Sequence, residues 1–193
     1  QQRLIAGLRA QAVNLEVVSA PFIGPWPTAY KDMLFKGFEA GESAENVQYI
    51  QFNNIWGYRN ISRTAALKKR VRDFARNSEA GKKAIIVYCP HTPFLEAAVY
   101  GKQLDDSIHI HMVVPDLPQY MNLSKEAHPI YDFFKKIDIQ KMDRLIEQVD
   151  SFMLLTKHMA GKLHVGKRPY IVVEGISDTK NIPAEKKERG KKV

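Results

Sequence analysis

The 193 residues carry a formal net charge of +8, with 45% hydrophobic and 26% charged side chains. This is the balance of an ordinary globule whose core is large enough to fold without staples. A single cysteine, Cys89, excludes an internal disulfide framework and fits a reducing compartment. No apolar run approaches the roughly 20 residues of a membrane span and no signal peptide is evident, so a cytoplasmic location is expected.

Along the chain, residues 1–12 place Leu4, Ile5 and Leu8 on one side at helical spacing. Residues 14–19 read as a strand ended by Ala20-Pro21, followed by the long Pro/Gly/aromatic loop PFIGPWPTAYKDMLFKGF. VQYIQF, residues 47–52, reads as a further strand. Asn60 or Ser62 then caps a helix carrying Ala66, Leu67, Val71 and Phe74. Residues 83–89, KAIIVYC, form the continuous apolar run expected of a central parallel strand covered on both faces. A helix, FLEAAVYGKQL, leads to a second buried strand over 108–114. A helix over roughly 127–148 follows, then a strand at 152–155, a short helix at 157–163 and a last strand at 170–173. Such alternation predicts an α/β fold, a Rossmann-like doubly wound parallel sheet. Beginning inside a helix, and ending on a Lys-rich stretch, the chain reads as part of a longer protein.

Positive charge attracts nucleic acid, anionic lipid or phosphorylated substrates without choosing among them. One cluster is Lys68, Lys69, Arg70, Arg72 and Arg76, and another is Lys186, Lys187, Arg189, Lys191 and Lys192. A solvated helix face and a linker account for both. No zinc-finger spacing and no RNP-like aromatic stretch accompanies them, so no nucleic-acid partner is expected.

In open parallel sheets, ligands bind outside the carboxyl ends of the strands. That rule selects Pro90-His91-Thr92, Pro115-Asp116-Leu117-Pro118, Thr156-Lys157-His158 and Glu174-Gly175-Ile176, each directly after an apolar strand. All four should line one crevice. Pro115 cannot continue a ladder, so Asp116 stands at the rim. It either caps the following turn or accepts a hydrogen bond from a sugar hydroxyl or cationic group. His91 is a loop histidine bonded to backbone, or a residue with a ligand contact or proton-transfer role. Lys157 and His158 can meet a phosphate at a helix start, for which Thr156 is also a plain N-cap. His109 and His111 share a strand face, but without a third ligand they are expected to pack against a covering helix, with no metal.

Neither G-x-G-x-x-G nor G-x-x-x-x-G-K-[ST] occurs, nor a G-x-S-x-G elbow. Cys89 ends a buried strand without an evident partner base. A self-contained catalytic machine is therefore not expected.

The order of segments resembles the N-terminal half of a GT-B glycosyltransferase, of the retaining family-4 type found in bacterial exopolysaccharide and capsule synthesis. The resemblance rests on QQRLIAGLRAQ leading into NLEVVSAP, then IIVYCPHTPF, HIHMVVPDLPQYMN, VDSFMLLTKHMAGKL and YIVVEGISD. PDLPQYM and LLTKHMAGKL, in that order, are its more specific blocks.

What the resemblance implies is an acceptor-side domain over 1–178, lacking its first strand, and a basic linker over 179–193 toward a second domain that binds most of the nucleotide-sugar. It also implies a glycan or lipid-linked sugar acceptor, peripheral contact with anionic membrane, and no cofactor beyond the donor substrate. Many relatives carry a histidine where this chain has Pro115 followed by Asp116. Asp116 or His91 takes that place, with Asp116 the candidate catalytic contact, and His91, Thr92, Asp116, Tyr120, Thr156, Lys157, Glu174 and Gly175 are the candidate substrate contacts. Glu174-Gly175 stands where the family has an Asn-Gly turn. A non-catalytic Rossmann-like binding or regulatory module is the alternative.

Overall fold

The computed structural model describes residues 2–11, 13–40, 47–77, 81–117 and 129–175. Tyr120, the boundary at residue 178 and the basic stretch from 179 lie outside them.

The elements in chain order are α1 (Gln2–Ala10), β1 (Val17–Ser19), β2 (Leu34–Phe35), β3 (Phe38–Ala40), β4 (Val47–Tyr49) and β5 (Phe52–Asn53). After these come α2 (Arg59–Asn77), β6 (Ala84–Tyr88), α3 (Thr92–Leu104), β7 (His109–Val114), α4 (Pro129–Ile146), β8 (Ser151–Leu154), α5 (Met159–Lys162) and β9 (Tyr170–Val172).

Four strands form one parallel sheet in the order β6-β7-β8-β9. Their apolar, β-branched residues alternate between two faces. Ile110, Met112, Val114, Phe152 and Leu154 are buried in a core with Leu95, Ala98 and Val99 of α3 and Met142 and Ile146 of α4. Both helices thus lie on one face, where right-handed crossovers between sequential strands put them. The opposite face is thinly covered: Ile86 is 37% and Ile171 54% exposed.

The expected single doubly wound sheet is therefore divided. A second sheet has the order β1-β4-β3, with β1 and β4 parallel and β3 antiparallel, and β2 pairs with β5 alone. The loop expected over PFIGPWPTAYKDMLFKGF contains β2 and begins β3, and the single strand expected over 47–52 is broken at Ile50-Gln51. A smaller core of Ala20, Phe35, Ile50, Phe52, Leu67 and Ala97 holds these pieces to α2 and α3. Gly101 lets those two helices meet, since a Cβ there would run into Val71 and lie 3.0 Å from Ile85.

The helix starts also differ from expectation. Helix α2 begins at Arg59, so neither Asn60 nor Ser62 is its cap, and the Ser62 hydroxyl instead accepts the Asn53 N–H (2.9 Å). Helix α3 begins at Thr92 because Pro93 suits a first helical turn. Helix α5 begins at Met159, with His158 rather than Thr156 at the N-cap position and no side-chain cap hydrogen bond there.

Candidate functional site

The carboxyl ends of β6 to β9 open on one cleft of about 410 Å³. Tyr88 lines it from β6, Val113, Val114 and Pro115 from β7, Leu155 from the end of β8 and Gly175 from beyond β9. Gln2, Arg3 and Leu4, the first turn of α1, complete the wall. Parallel strands all exit on the same side, which is why four separate sequence segments meet here.

Of the four segments expected to line one crevice, two contribute a residue to it, Pro115 and Gly175, while Thr156-Lys157-His158 is represented only by the preceding Leu155. Pro115, Leu155 and Gly175 border it, with Asp116, Thr156 and Glu174 the next residues along or beside them and all exposed. Asp116 Oδ1 accepts the N–H of Leu117 (2.8 Å), so the carboxylate caps its own turn, and its second oxygen gives the group room for another donor. Lys157 belongs to a separate open concavity of about 670 Å³ with His158, Gly161 and Lys162. The backbone carbonyls of Thr156 and Lys157 accept the N–H groups of Met159 (3.2 Å) and Ala160 (3.2 Å).

The fourth segment stands elsewhere. Cys89, buried at the end of β6, takes φ 77, a left-handed conformation uncommon for a side chain-bearing residue. It turns the chain so that the His91 ring meets Phe22, beyond β1, at 4.4 Å and Phe94 at 5.3 Å. Burial, then the charges of Arg63 and Arg59, push His91 down to about 3, so the ring is neutral near pH 7. A histidine so held is a poor proton donor at neutral pH. Burial, and secondarily Asp116, push the Cys89 thiol up to about 11, away from nucleophile chemistry.

Arg63 is what the sequence reading missed. Only 2% exposed, it donates to the Pro21 carbonyl (2.7 Å) and lies 4.4 Å over the Phe52 ring. Arg59 donates to the Ile23 carbonyl (3.0 Å) and the Asn54 side chain to the Gly24 carbonyl (2.7 Å). The signal was available, since Arg63, Leu67 and Val71 fall on one helical stripe at i, i+4 and i+8. Arg63 Nε, His91 Nδ1 and Thr92 Oγ1 are all buried without a hydrogen-bond partner. The exits of β1 and β6 therefore hold a pair of buried polar side chains beside a buried guanidinium.

His109 and His111 are on the face opposite α3 and α4. They lie on the thinly covered face, where Ser151 Oγ meets His109 Nε2 at 2.7 Å and His111 Nδ1 at 2.8 Å. Among the described residues no group of three His, Cys, Asp or Glu side chains is placed to hold a metal. No helix of the described residues is long and apolar enough to cross a membrane.

Compared with models of protein families, with curated proteins and with solved structures, the chain shows no significant match to any of them.

Proposed function

We propose that this chain is the acceptor-binding half of a glycosyltransferase. It would help move a sugar from a nucleotide-sugar to a glycan or lipid-linked acceptor, with retention at the anomeric carbon. The observation that carries the reading is the cleft at the carboxyl ends of β6 to β9. Its apolar floor and few polar groups at the edge suit a sugar face and its hydroxyls, and it lies where open parallel sheets bind ligands.

In this reading Asp116 offers its remaining lone pairs to an acceptor hydroxyl, and the Glu174-Gly175 turn lets backbone approach the ligand. Donor diphosphate binding and most of the charge stabilisation fall to a second domain, so the domain over 1–178 positions the acceptor and does not complete the reaction alone. Surface cations offer a route to an anionic membrane, each worth about 1 kcal/mol near such a surface.

A non-catalytic binding module is favoured by one observation: Asp116, beside the cleft, is already bonded to its own turn, while His91 is neutral and stands away from the cleft. Sugar transfer by the full-length protein from a panel of nucleotide-sugars separates the readings. Turnover is expected, and Asp116→Asn with an unchanged melting temperature should lower kcat/KM by at least about ten-fold. No turnover from any donor sinks the enzyme reading, and full activity of Asp116→Asn sinks the role of that carboxylate.

A further inference from the structure

Positive charge gathers where β1 and β6 leave their sheets. Arg59 and Arg63, one turn apart on α2, reach the backbone on either side of Phe22. Arg63 Nη2 donates to the Pro21 carbonyl (2.7 Å) and Arg59 Nη1 to the Ile23 carbonyl (3.0 Å). Phe22 in turn meets the His91 ring at 4.4 Å. His91 is the N-cap of α3, a helix of 13 residues that starts at Thr92. The first turn of such a helix adds partial positive charge of its own, from N–H groups that have no carbonyl within the helix.

Little negative charge answers it. The first turn of α3 has no acidic residue, and the His91 side chain makes no cap hydrogen bond. Glu96, the one acid of α3, is held by Lys68 and Lys141. Among the described residues no carboxylate pairs with Arg63. Arg63 is 2% and Thr92 4% exposed, yet Arg63 Nε, Thr92 Oγ1 and His91 Nδ1 are buried without a hydrogen-bond partner. A buried guanidinium without a counter-charge is strongly unfavourable, and each unpaired polar atom adds its own desolvation cost. Arg63 Nε–H and the Thr92 hydroxyl are donors, and the His91 imidazole is one at Nδ1 in the matching tautomer.

We propose that the start of α3 and the first turns of α2 form a site for a phosphate group, held by Arg63 Nε–H, the Thr92 hydroxyl and the helix N–H groups. A tetrahedral oxyanion presents lone pairs in several directions, as donors on two separate helices require, whereas a planar carboxylate presents fewer. It supplies the negative charge that Arg63 lacks, at a helix start where anions are favoured. The ligand enters past Phe22, which is 60% exposed and lies against His91. Arg59 adds attraction at longer range, since its charge and that of Arg63 both act on the His91 ring. Neither Arg63 nor Thr92 lines the cleft of β6 to β9. The site is therefore independent of the glycosyltransferase reading, and its failure leaves the turnover experiment untouched.

The test titrates inorganic phosphate into the 193-residue chain, with ionic strength held constant by chloride. Saturable shifts of the Thr92 amide and Arg63 Nε–H NMR signals are expected, with a Kd below about 1 mM. The melting temperature should rise with phosphate, and acetate should bind at least about ten-fold more weakly. Methyl phosphate is the second probe. Binding as tight as that of inorganic phosphate supports a site for a phosphate ester, and weaker binding supports one for the free ion. Arg63→Met and Thr92→Val, which nearly keep side-chain volume, should each weaken phosphate at least about ten-fold. Lys69→Met, which removes an exposed cation from the same helix, should change it less than about two-fold. If Arg63→Met does not fold, Thr92→Val decides, because it removes only an unpartnered hydroxyl and should keep the melting temperature in phosphate-free buffer. The absence of any saturable shift overturns the proposal. Equal losses from Lys69→Met and Arg63→Met also overturn it, since the attraction would then belong to the overall charge. Full binding by Thr92→Val puts the ion away from the start of α3 and overturns this site.

Discussion

In the β6–β9 sheet, Ile110, Met112, Phe152 and Leu154 are completely buried, and one continuous apolar core runs under α3 and α4. In the β1–β5 region the strands are two or three residues long, and the connections are held by side chains reaching backbone: Arg63 to Pro21, Arg59 to Ile23, Asn54 to Gly24, Ser62 to Asn53. The first region is specified by burial, which is roughly proportional to area and tolerant of small shifts. The second is specified by directional bonds, each of which fixes a loop at one point. Same-sized substitutions should therefore act differently in the two places.

The largest effect is expected in the first region. Phe152 is fully buried and carries the Arg168 guanidinium 4.9 Å over its ring. Phe152→Ala should lower unfolding free energy by about 3–5 kcal/mol, through lost transfer energy and the cavity left behind. A urea melt reads this directly. Ile171→Ala on the exposed side of the same sheet should change it by less than about 0.5 kcal/mol. If the two losses are equal, the helix-covered face is not what holds this sheet together.

A middle-sized effect probes the second region. Arg63→Ala should cost about 2–3 kcal/mol, since it frees the Pro21 carbonyl, uncovers Phe52 and leaves a void. No carboxylate pairs with Arg63 among the described residues, and burial, with Arg59 nearby, pulls its pKa down to about 10. Arg63→Met keeps the volume and removes an uncompensated charge, so about half of the Ala loss should return. Thermal melts of the two variants measured together decide it. A Met variant as damaged as the Ala variant would show that the bond to Pro21, not packing, carries Arg63.

The same contrast explains what could be read from the sequence. Strands β6 to β9 and the helices between them were legible, displaced by a residue or two at their ends, because long apolar runs and helical stripes report burial. Strands β2 and β3 were not, because Pro25, Pro27 and Gly37 mask them as loop, and β5 was reached only at Phe52, as the end of the single strand expected over 47–52. Their bonds join residues 24 to 54 and 21 to 63, separations that no local pattern records. The order of strand exits was legible, and so was the position of Pro115 and Gly175 on the cleft. The departure of His91 was not, since it depends on which strands are neighbours and on the positive φ of Cys89. The start of α2 was misplaced because Ser62 is a good cap by type but its hydroxyl is taken by the Asn53 N–H, and α5 starts later than expected because Thr156 and Lys157 lie in the turn before it.

The smallest effect falls at the junction between the two regions, where His91 meets Phe22 and Arg63. Its pKa is about 3 when folded, depressed by burial first and by the arginines second, against about 6.5 in an unfolded chain. Between those values the unfolded state binds a proton that the folded state refuses, so stability falls as pH falls and is unaffected above about pH 7. The slope for one such group is at most about 1.4 kcal/mol per pH unit. Below about pH 4.5 the lowered carboxyls of Glu96 and Asp150 add losses of their own, which leaves the window from 6.5 to 4.5 to histidine. His111 is also lowered, by burial and then by His109, so the two must be separated by variant. His91→Phe keeps a ring against Phe22 and Phe94 and removes the titration. Its stability curve should be flatter than that of the parent chain by up to about 1.4 kcal/mol per unit across the window, whereas His111→Phe should leave the His91 slope in place. Parallel curves for His91→Phe and the parent would mean that protonated His91 is tolerated in the fold.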